Sequence, residues 1–255
     1  MTDTPIEAKS HFYAHGERLL REEIARTEPP FKRRVVIGDC TLYEADCLDL
    51  MPTLGGFDAV VTDLPYGIGF ASQPTDYQRA NGLAPRQWDE VRPPVERLVE
   101  GLTAIVWGGN YFALPPSRGW LIWAKEGNLP SMADAEMAWC SMDMNTRVFR
   151  KTVRSASKEK QLATAPHPTQ KPLALMQWCL GFLPDATTIL DPFMGSGTTG
   201  VACVKLARKF TGIELESDYF DIACQRIEEA YRQPDMFIEP PAPKPEQLDM
   251  LEGEE

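Results

Sequence analysis

Thr188-Ile189-Leu190-Asp191-Pro192-Phe193-Met194-Gly195-Ser196-Gly197-Thr198-Thr199-Gly200 is the stretch on which the fold turns. A short apolar run leads into an acid and a proline, then into a glycine-rich turn, then into a segment of helical character. The glycines are spaced GxGxxG. That spacing permits a tight turn, lets a ligand approach the backbone, and leaves unpaired N–H groups at the helix start. Glu214 closes the next apolar run (KFTGIE), at about the separation where an acidic residue grips ribose hydroxyls. Strand, glycine loop, helix, strand and acid in this order read as one ligand-binding half of an open α/β sheet.

A second strand end stands upstream. Ala59-Val60-Val61 runs into Asp63-Leu64-Pro65-Tyr66-Gly67, DLPYG. Around these two anchors, strand-like runs recur at 34–37, 41–44, 59–62, 103–107, 120–123, 188–190 and 210–213. Helical segments intervene at 173–183, 198–207 and 219–232. The alternation predicts an α/β fold with a mainly parallel central sheet and crossover helices. Residues 1–33 read as a polar lead-in, 34–232 as one domain, and 233–255 as an acidic, proline-rich tail expected to be disordered.

With 255 residues, 43% hydrophobic and 25% charged, the chain can build one sizeable core. No stretch approaches the length of an apolar membrane span, and MTDTPIEAKS has neither the basic start nor the apolar run of a signal peptide. Six scattered cysteines without a CxxC pair, beside three histidines, argue against a zinc site or a disulfide framework. Reduced thiols in the cytoplasm are the expectation. The net charge of −11 argues superficially against nucleic acid, but charge is unevenly spread. Between Asn145 and Lys171, seven bases face one acid, whereas from Pro234 to Glu255 seven acids face one lysine. The basic stretch can follow a phosphate backbone; the competing reading is a solvated loop.

Taken together, the motifs resemble one family. DPFMGSGTTG looks like the S-adenosylmethionine loop of DNA amino-methyltransferases, and DLPYG resembles their DPPY-type catalytic motif. The catalytic motif comes first and the cofactor loop near the C-terminus, an order similar to the circularly permuted β class. Supporting segments cover most of residues 34–230, including WGGNYF (Trp107–Phe112) and HPTQKP (His167–Pro172). The resemblance implies a Rossmann-like methyltransferase fold that uses S-adenosylmethionine. On the cofactor side it implies Asp191, Phe193, Gly195 and Gly197 along the loop, and Glu214 on the ribose hydroxyls. It also implies Asp46 at the adenine amine, and Thr169 and Lys171 beside the methionine carboxylate. The competing readings are a turn or cap role for Asp46 and a surface cation for Lys171.

The catalytic motif has a physical logic of its own. An exocyclic base amine is conjugated with its ring and is a poor nucleophile. Two acceptors on its N–H groups, the Asp63 carboxylate and the Leu64 carbonyl, direct its lone pair out of the ring plane. Pro65 stiffens the turn and Tyr66 offers a face on which an extruded base can stack. Leu64 stands where the family usually has proline. Tyr111 and Phe112 can wall a base pocket, although aromatics after an apolar strand are more often core, as Trp107, Trp120 and Trp123 are read here.

The region from about 125 to 166 is where the β class places target recognition, which makes Arg147, Arg150, Arg154 and Lys158 candidate DNA contacts. The tail segments QPDMF (Gln233–Phe237) and QLDML (Gln247–Leu251) resemble pentapeptides that dock on bacterial sliding clamps, and the family often forms homodimers. The reading is a site-specific adenine-N6 methyltransferase acting on double-stranded DNA, of restriction-modification type. Cytosine-N4 methylation is the near alternative. A nicotinamide-linked oxidoreductase would leave DLPYG without a role, and a non-catalytic DNA-binding protein would not need the motifs intact.

Overall fold

The structure is a computed structural model that describes residues 29–67, 92–126, 133–152 and 170–233. Among these residues one nine-stranded sheet forms the centre, in the order β1-β2-β9-β8-β3-β4-β6-β5-β7. Its strands are β1 Arg33–Ile37, β2 Cys40–Glu44, β3 Ala59–Asp63, β4 Ala104–Trp107, β5 Trp120–Glu126, β6 Ala135–Cys140, β7 Arg147–Thr152, β8 Thr188–Asp191 and β9 Lys209–Glu214. The five central strands, β2, β9, β8, β3 and β4, are mutually parallel; β1 and β6 join antiparallel. The expected α/β class with a mainly parallel sheet is what forms.

Helices sort by face. Leu175 of α3 (Leu173–Leu180), Val201 of α4 (Thr198–Lys205) and Phe220 of α5 (Ser217–Arg232) share a core with Ile105, Trp107, Leu121 and Trp123. On the opposite face, α1 (Cys47–Leu50) and α2 (Val95–Leu98) pack with Val60, Val106, Leu190 and Ile213. Burial on both faces explains why β4 reads AIVW with no alternation, and why β3 (AVVTD) and β8 (TILD) carry consecutive apolar residues.

The connectivity creates a switch point. β3 and β8 are neighbours, yet the chain leaves β8 for β9 on one side and leaves β3 for β4 on the other. The loops after β3 and β8 therefore diverge, opening a crevice beyond their carboxyl ends. DLPYG and the glycine loop begin there.

Two strands are additions to the sequence reading. β6 (AEMAWC) is built from residues that favour helices as readily as strands, and the edge strand β7 (RVFRKT) shows no clean alternation. The region expected to be a recognition element thus contributes two strands to the main sheet. The lead-in up to residue 28 and the tail beyond Gln233, with its clamp-like segments, lie outside the described residues. No helix among the described residues is long and apolar enough to cross a membrane.

Candidate active site

Asp63 is the last residue of β3, at the switch point. The parallel register pairs it with Trp107, and its side chain points to the face covered by α3. Both carboxylate oxygens are engaged. Oδ1 accepts from the Tyr66 hydroxyl at 2.9 Å, and Oδ2 accepts from Lys171 Nζ at 2.7 Å. Lys171 enters from the segment just before α3, lies over the Trp107 and Tyr66 rings, and also donates to the Tyr66 hydroxyl at 3.2 Å.

The charges continue beyond that pair. Lys171 Nζ is 2.9 Å from Glu136 Oε2 on β6, and Glu136 Oε1 is 2.6 Å from Lys125 Nζ on β5. Asp63, Lys171, Glu136 and Lys125 form an alternating row, with both lysine side chains at 8% exposure or less. Burial raises the Asp63 carboxyl above its ordinary value, with Lys171 opposing and Glu136 adding to the rise. Burial would raise Glu136 too, but Lys171 and Lys125 outweigh it and hold Glu136 at about 2. Lys171 pays the same desolvation, which its two carboxylates more than offset, so it stays protonated. Removing one member of such a buried row leaves an uncompensated charge.

Tyr66 lies nearly parallel to Tyr111, with ring centroids 4.9 Å apart and planes 14° from parallel. Gly108, at φ 73°, admits the Tyr66 ring against the backbone; a Cβ there would sit 2.0 Å from Tyr66 Cε1. Arg92 joins the two aromatic loops, donating from Nε to the Tyr66 carbonyl at 3.0 Å and from Nη1 to the Tyr111 carbonyl at 3.3 Å. Tyr111 is exposed, whereas Phe112 packs into the core beneath it. Leu64 is itself core, at 3% exposure, so the leucine here fills space that a proline would leave. Trp107 and Trp123 are buried, as read from the sequence.

The glycine loop is held from three sides. Gly195 and Gly197 are both left-handed, at φ 52° and 78°, and Gly197 begins α4. Glu214, ending β9, accepts from the Gly195 amide at 2.8 Å and from the Glu216 amide at 2.8 Å; burial nevertheless raises its carboxyl to about 7. Arg226 of α5 donates to the Ser196 carbonyl and hydroxyl and to Thr198 Oγ1. Asp191 accepts from Thr62 on β3 at 2.7 Å, from Thr199 on α4 at 2.6 Å and from the Phe193 amide at 3.1 Å. Burial pushes Asp191 up to about 6.

The remaining candidates divide. Asp46 caps α1, accepting from the Leu48 amide at 2.8 Å, and follows β2, the parallel neighbour of the strand that Glu214 ends. Lys171 lies against DLPYG. Its neighbour Gln170 reaches Ser196 Oγ at 3.4 Å, so this short segment touches both half-sites. Phe193 is half-buried against the α1/α2 core. Arg147 and Arg150 lie exposed on β7, while Thr169, Arg154 and Lys158 lie outside the described residues. Burial raises all six thiols, and among the described residues no group of ligating side chains could hold a metal. Glu136, Lys125, Arg226 and Arg92 were not singled out from the sequence. Glu136 and Lys125 become neighbours only through the β5–β6 pairing, and no motif spacing announces it.

The architecture is an open α/β sheet with DLPYG and the glycine loop at one switch point, and part of it is similar to known proteins. Residues 116–225 match the family model described as DNA methylase, N6_N4_Mtase, a segment holding Glu136, Lys171, the glycine loop and Glu214. The match is confined to that segment, which is what the chain shares with the DNA amino-methyltransferases. The chain is 44% identical over 75 residues to the Type II methyltransferase M2.DpnII of Streptococcus pneumoniae, covering 29% of this chain and 28% of that protein. With the Type II methyltransferase M2.MboI of Moraxella bovis it shares 36% over 116 residues, 44% of this chain and 42% of the other. The chain thus spans less than half the length of these curated relatives. A solved structure of the M1.HpyAVI–SAM complex is similar at 24% identity and a TM-score of 0.46, covering 74% of this chain and 98% of that one.

Proposed function

We propose that the chain transfers a methyl group from S-adenosylmethionine to the N6 amine of adenine in double-stranded DNA. The observation that carries the reading is the placement of Asp63, ion-paired to Lys171, at the end of β3, one strand from the glycine loop after β8. The residues suit the cofactor. A carboxylate has about four acceptor positions. Glu214 uses some of them on loop amides and keeps others for ribose hydroxyls, while the left-handed glycines leave the loop backbone open to a ligand. When bound, S-adenosylmethionine supplies an electrophilic methyl group on a sulfonium.

The chain's own part is positional and electrostatic. Asp63 and the Leu64 carbonyl accept the two amine hydrogens, aim the nitrogen lone pair, and face the positive charge that develops as the new bond forms. Tyr66 supplies the stacking surface and, through its hydroxyl, fixes Asp63 Oδ1. Arg147 and Arg150, with Arg154 and Lys158, supply phosphate contacts. Aspartate at the first motif position favours adenine over cytosine N4.

The test is incubation of the full chain with methyl-labelled S-adenosylmethionine and unmethylated double-stranded DNA, followed by nucleoside analysis. N6-methyladenine supports the reading. N4-methylcytosine alone replaces adenine by cytosine as the target, and no incorporation overturns methyl transfer. A restriction-modification role, a homodimer and a clamp contact through the tail are further proposals. Sedimentation of the chain, and clamp binding with and without residues 233–255, address the last two.

A further inference from the structure

A lone ammonium against Asp63 would work against the proposed chemistry. Lys171 contacts Oδ2 directly, and a full positive charge there offsets the negative charge the target amine has to meet. Lys171 is not left to Asp63 alone. Glu136 holds the same ammonium at 2.9 Å, and Lys125 holds Glu136 at 2.6 Å from its far side. β3, β6 and β5 thus each contribute one member, and the pre-α3 segment contributes the fourth. A β6 glutamate that only packed would need one cation. This one sits between two.

We propose that Glu136 is a positioning residue for methyl transfer: by sharing Lys171 it keeps the full ammonium charge from being set against Asp63 alone, and Lys125 sets how strongly it does so. The inference rests on the methyltransferase reading. Among the described residues, the charged or titratable groups around Asp63 are Lys171, Tyr66 and Glu136, with Asp191 acting from β8; those around Glu136 are Lys171, Lys125, Asp63 and Tyr66. Removing Glu136's charge leaves Lys171 to Asp63 alone. Removing Lys125's charge strengthens Glu136's hold on Lys171. The two changes therefore push Asp63 in opposite directions, which loss of packing would not do.

The experiment compares wild type, Glu136→Gln, Glu136→Asp and Lys125→Met as full chains. Its first readout is ligand-free: a carboxyl carbon-13 NMR titration, with the Asp63 resonance assigned by its loss in Asp63→Asn. Glu136→Gln should lower the Asp63 midpoint by roughly one pH unit and Lys125→Met should raise it, since a charge within a few ångströms acts on that scale. The second readout is kinetic. In Glu136→Gln, kcat should fall on the order of tenfold, with its acid limb displaced downward and both KM values unchanged; Glu136→Asp should recover part of kcat. If Glu136→Gln does not fold, the upward shift in Lys125→Met decides alone. Asp63 midpoints that stay put, or move together, overturn the inference. Opposed shifts in the two variants beside a wild-type chain that transfers no methyl group overturn the methyltransferase reading, and with it the catalytic meaning of the row.

Discussion

Lys171 Nζ and Asp63 Oδ2 lie 2.7 Å apart although 108 residues separate them in the chain. The contact joins the HPTQKP segment to DLPYG and makes the Asp63 carboxylate a member of a buried ionic row. Substituting Asp63 has consequences on both counts.

Asp63→Asn should reduce kcat by about 10²–10³-fold, the scale for losing one preorganised electrostatic group, with the dissociation constant for S-adenosylmethionine within about twofold of wild type. Asp63→Ala should be equally inactive and also less stable, because Lys171 loses one of its two carboxylates; Glu136 limits that loss. Radiolabel transfer and calorimetry check both. A fully active Asp63→Asn removes the residue from the mechanism.

Cofactor affinity should depend on pH through Glu214. Its carboxyl titrates at about 7 in the ligand-free chain, and ribose hydroxyls donate to the ionised form. Affinity should therefore strengthen as pH rises through about 7, and Glu214→Gln should remove that component. Glu214→Ala should weaken binding by about 1.5–3 kcal/mol, the cost of a hydrogen bond to a charged acceptor. An affinity unchanged in Glu214→Ala sinks the ribose assignment.

Folding stability should peak in mildly acidic solution. Asp191 and Glu214 titrate at about 6 and about 7, above their unfolded values, so the folded chain holds protons that the unfolded chain releases. Their contribution is complete below about pH 4 and is lost as pH rises through about 6 and about 7. Asp58 and Glu136 behave oppositely: both titrate at about 2, so their stabilisation is present above about pH 4 and lost as pH falls toward 2. Thermal melts should give a maximum between about pH 4 and 5. A Tm that climbs steadily to neutral pH contradicts the burial of Asp191 and Glu214.

Gly197→Val should cost both stability and cofactor binding. A Cβ at this position would lie 2.9 Å from the Ala223 Cβ on α5, and the backbone is left-handed, at φ 78°. Overpacking of this kind costs roughly 1–3 kcal/mol, and the left-handed backbone adds roughly 1–2 kcal/mol. A lower Tm accompanying the lost calorimetric signal is the expected pair of results; a binding loss at unchanged Tm would point to direct ligand contact instead.

Neutralising Arg147 and Arg150 together should raise the KM for DNA and flatten the log–log salt dependence by roughly two units, about one per phosphate contact. Cofactor affinity should not move. Both side chains are exposed on β7, so their replacement should leave the fold intact. Unchanged DNA affinity and salt slope would make them solvated bystanders.

Much of this was legible because the informative segments are local. An apolar strand, a proline and a left-handed glycine turn announce themselves within ten residues, which is why Asp63, Gly195, Gly197 and Glu214 could be located before any fold was known. Helix boundaries were close: 173–183 was expected where α3 is Leu173–Leu180. The ionic row was not legible. Glu136 sits in AEMAWC, a run of helix formers made into a strand by β4 and β5 on either side, and its meeting with Lys171 is a product of three strand pairings. The resemblance puts Lys171 beside the methionine carboxylate, and nothing in the sequence announces that its ammonium pairs with Asp63. Leu64 was read as a missing proline, and burial shows what the leucine contributes.

Asp191 links the two loops mechanically. One oxygen takes a hydrogen bond from Thr62, the residue before Asp63, and the other takes one from Thr199, in the first turn after the glycine loop. Methyl donor and acceptor would therefore be referenced to a single carboxylate. Through these two hydrogen bonds a shift of the glycine loop on one side of the crevice would be passed to the end of β3 on the other, and the two reactants would move together. For methyl transfer, whose rate can fall about a hundredfold on a 1 Å misplacement, such a shared datum would keep the line of attack while the molecule flexes.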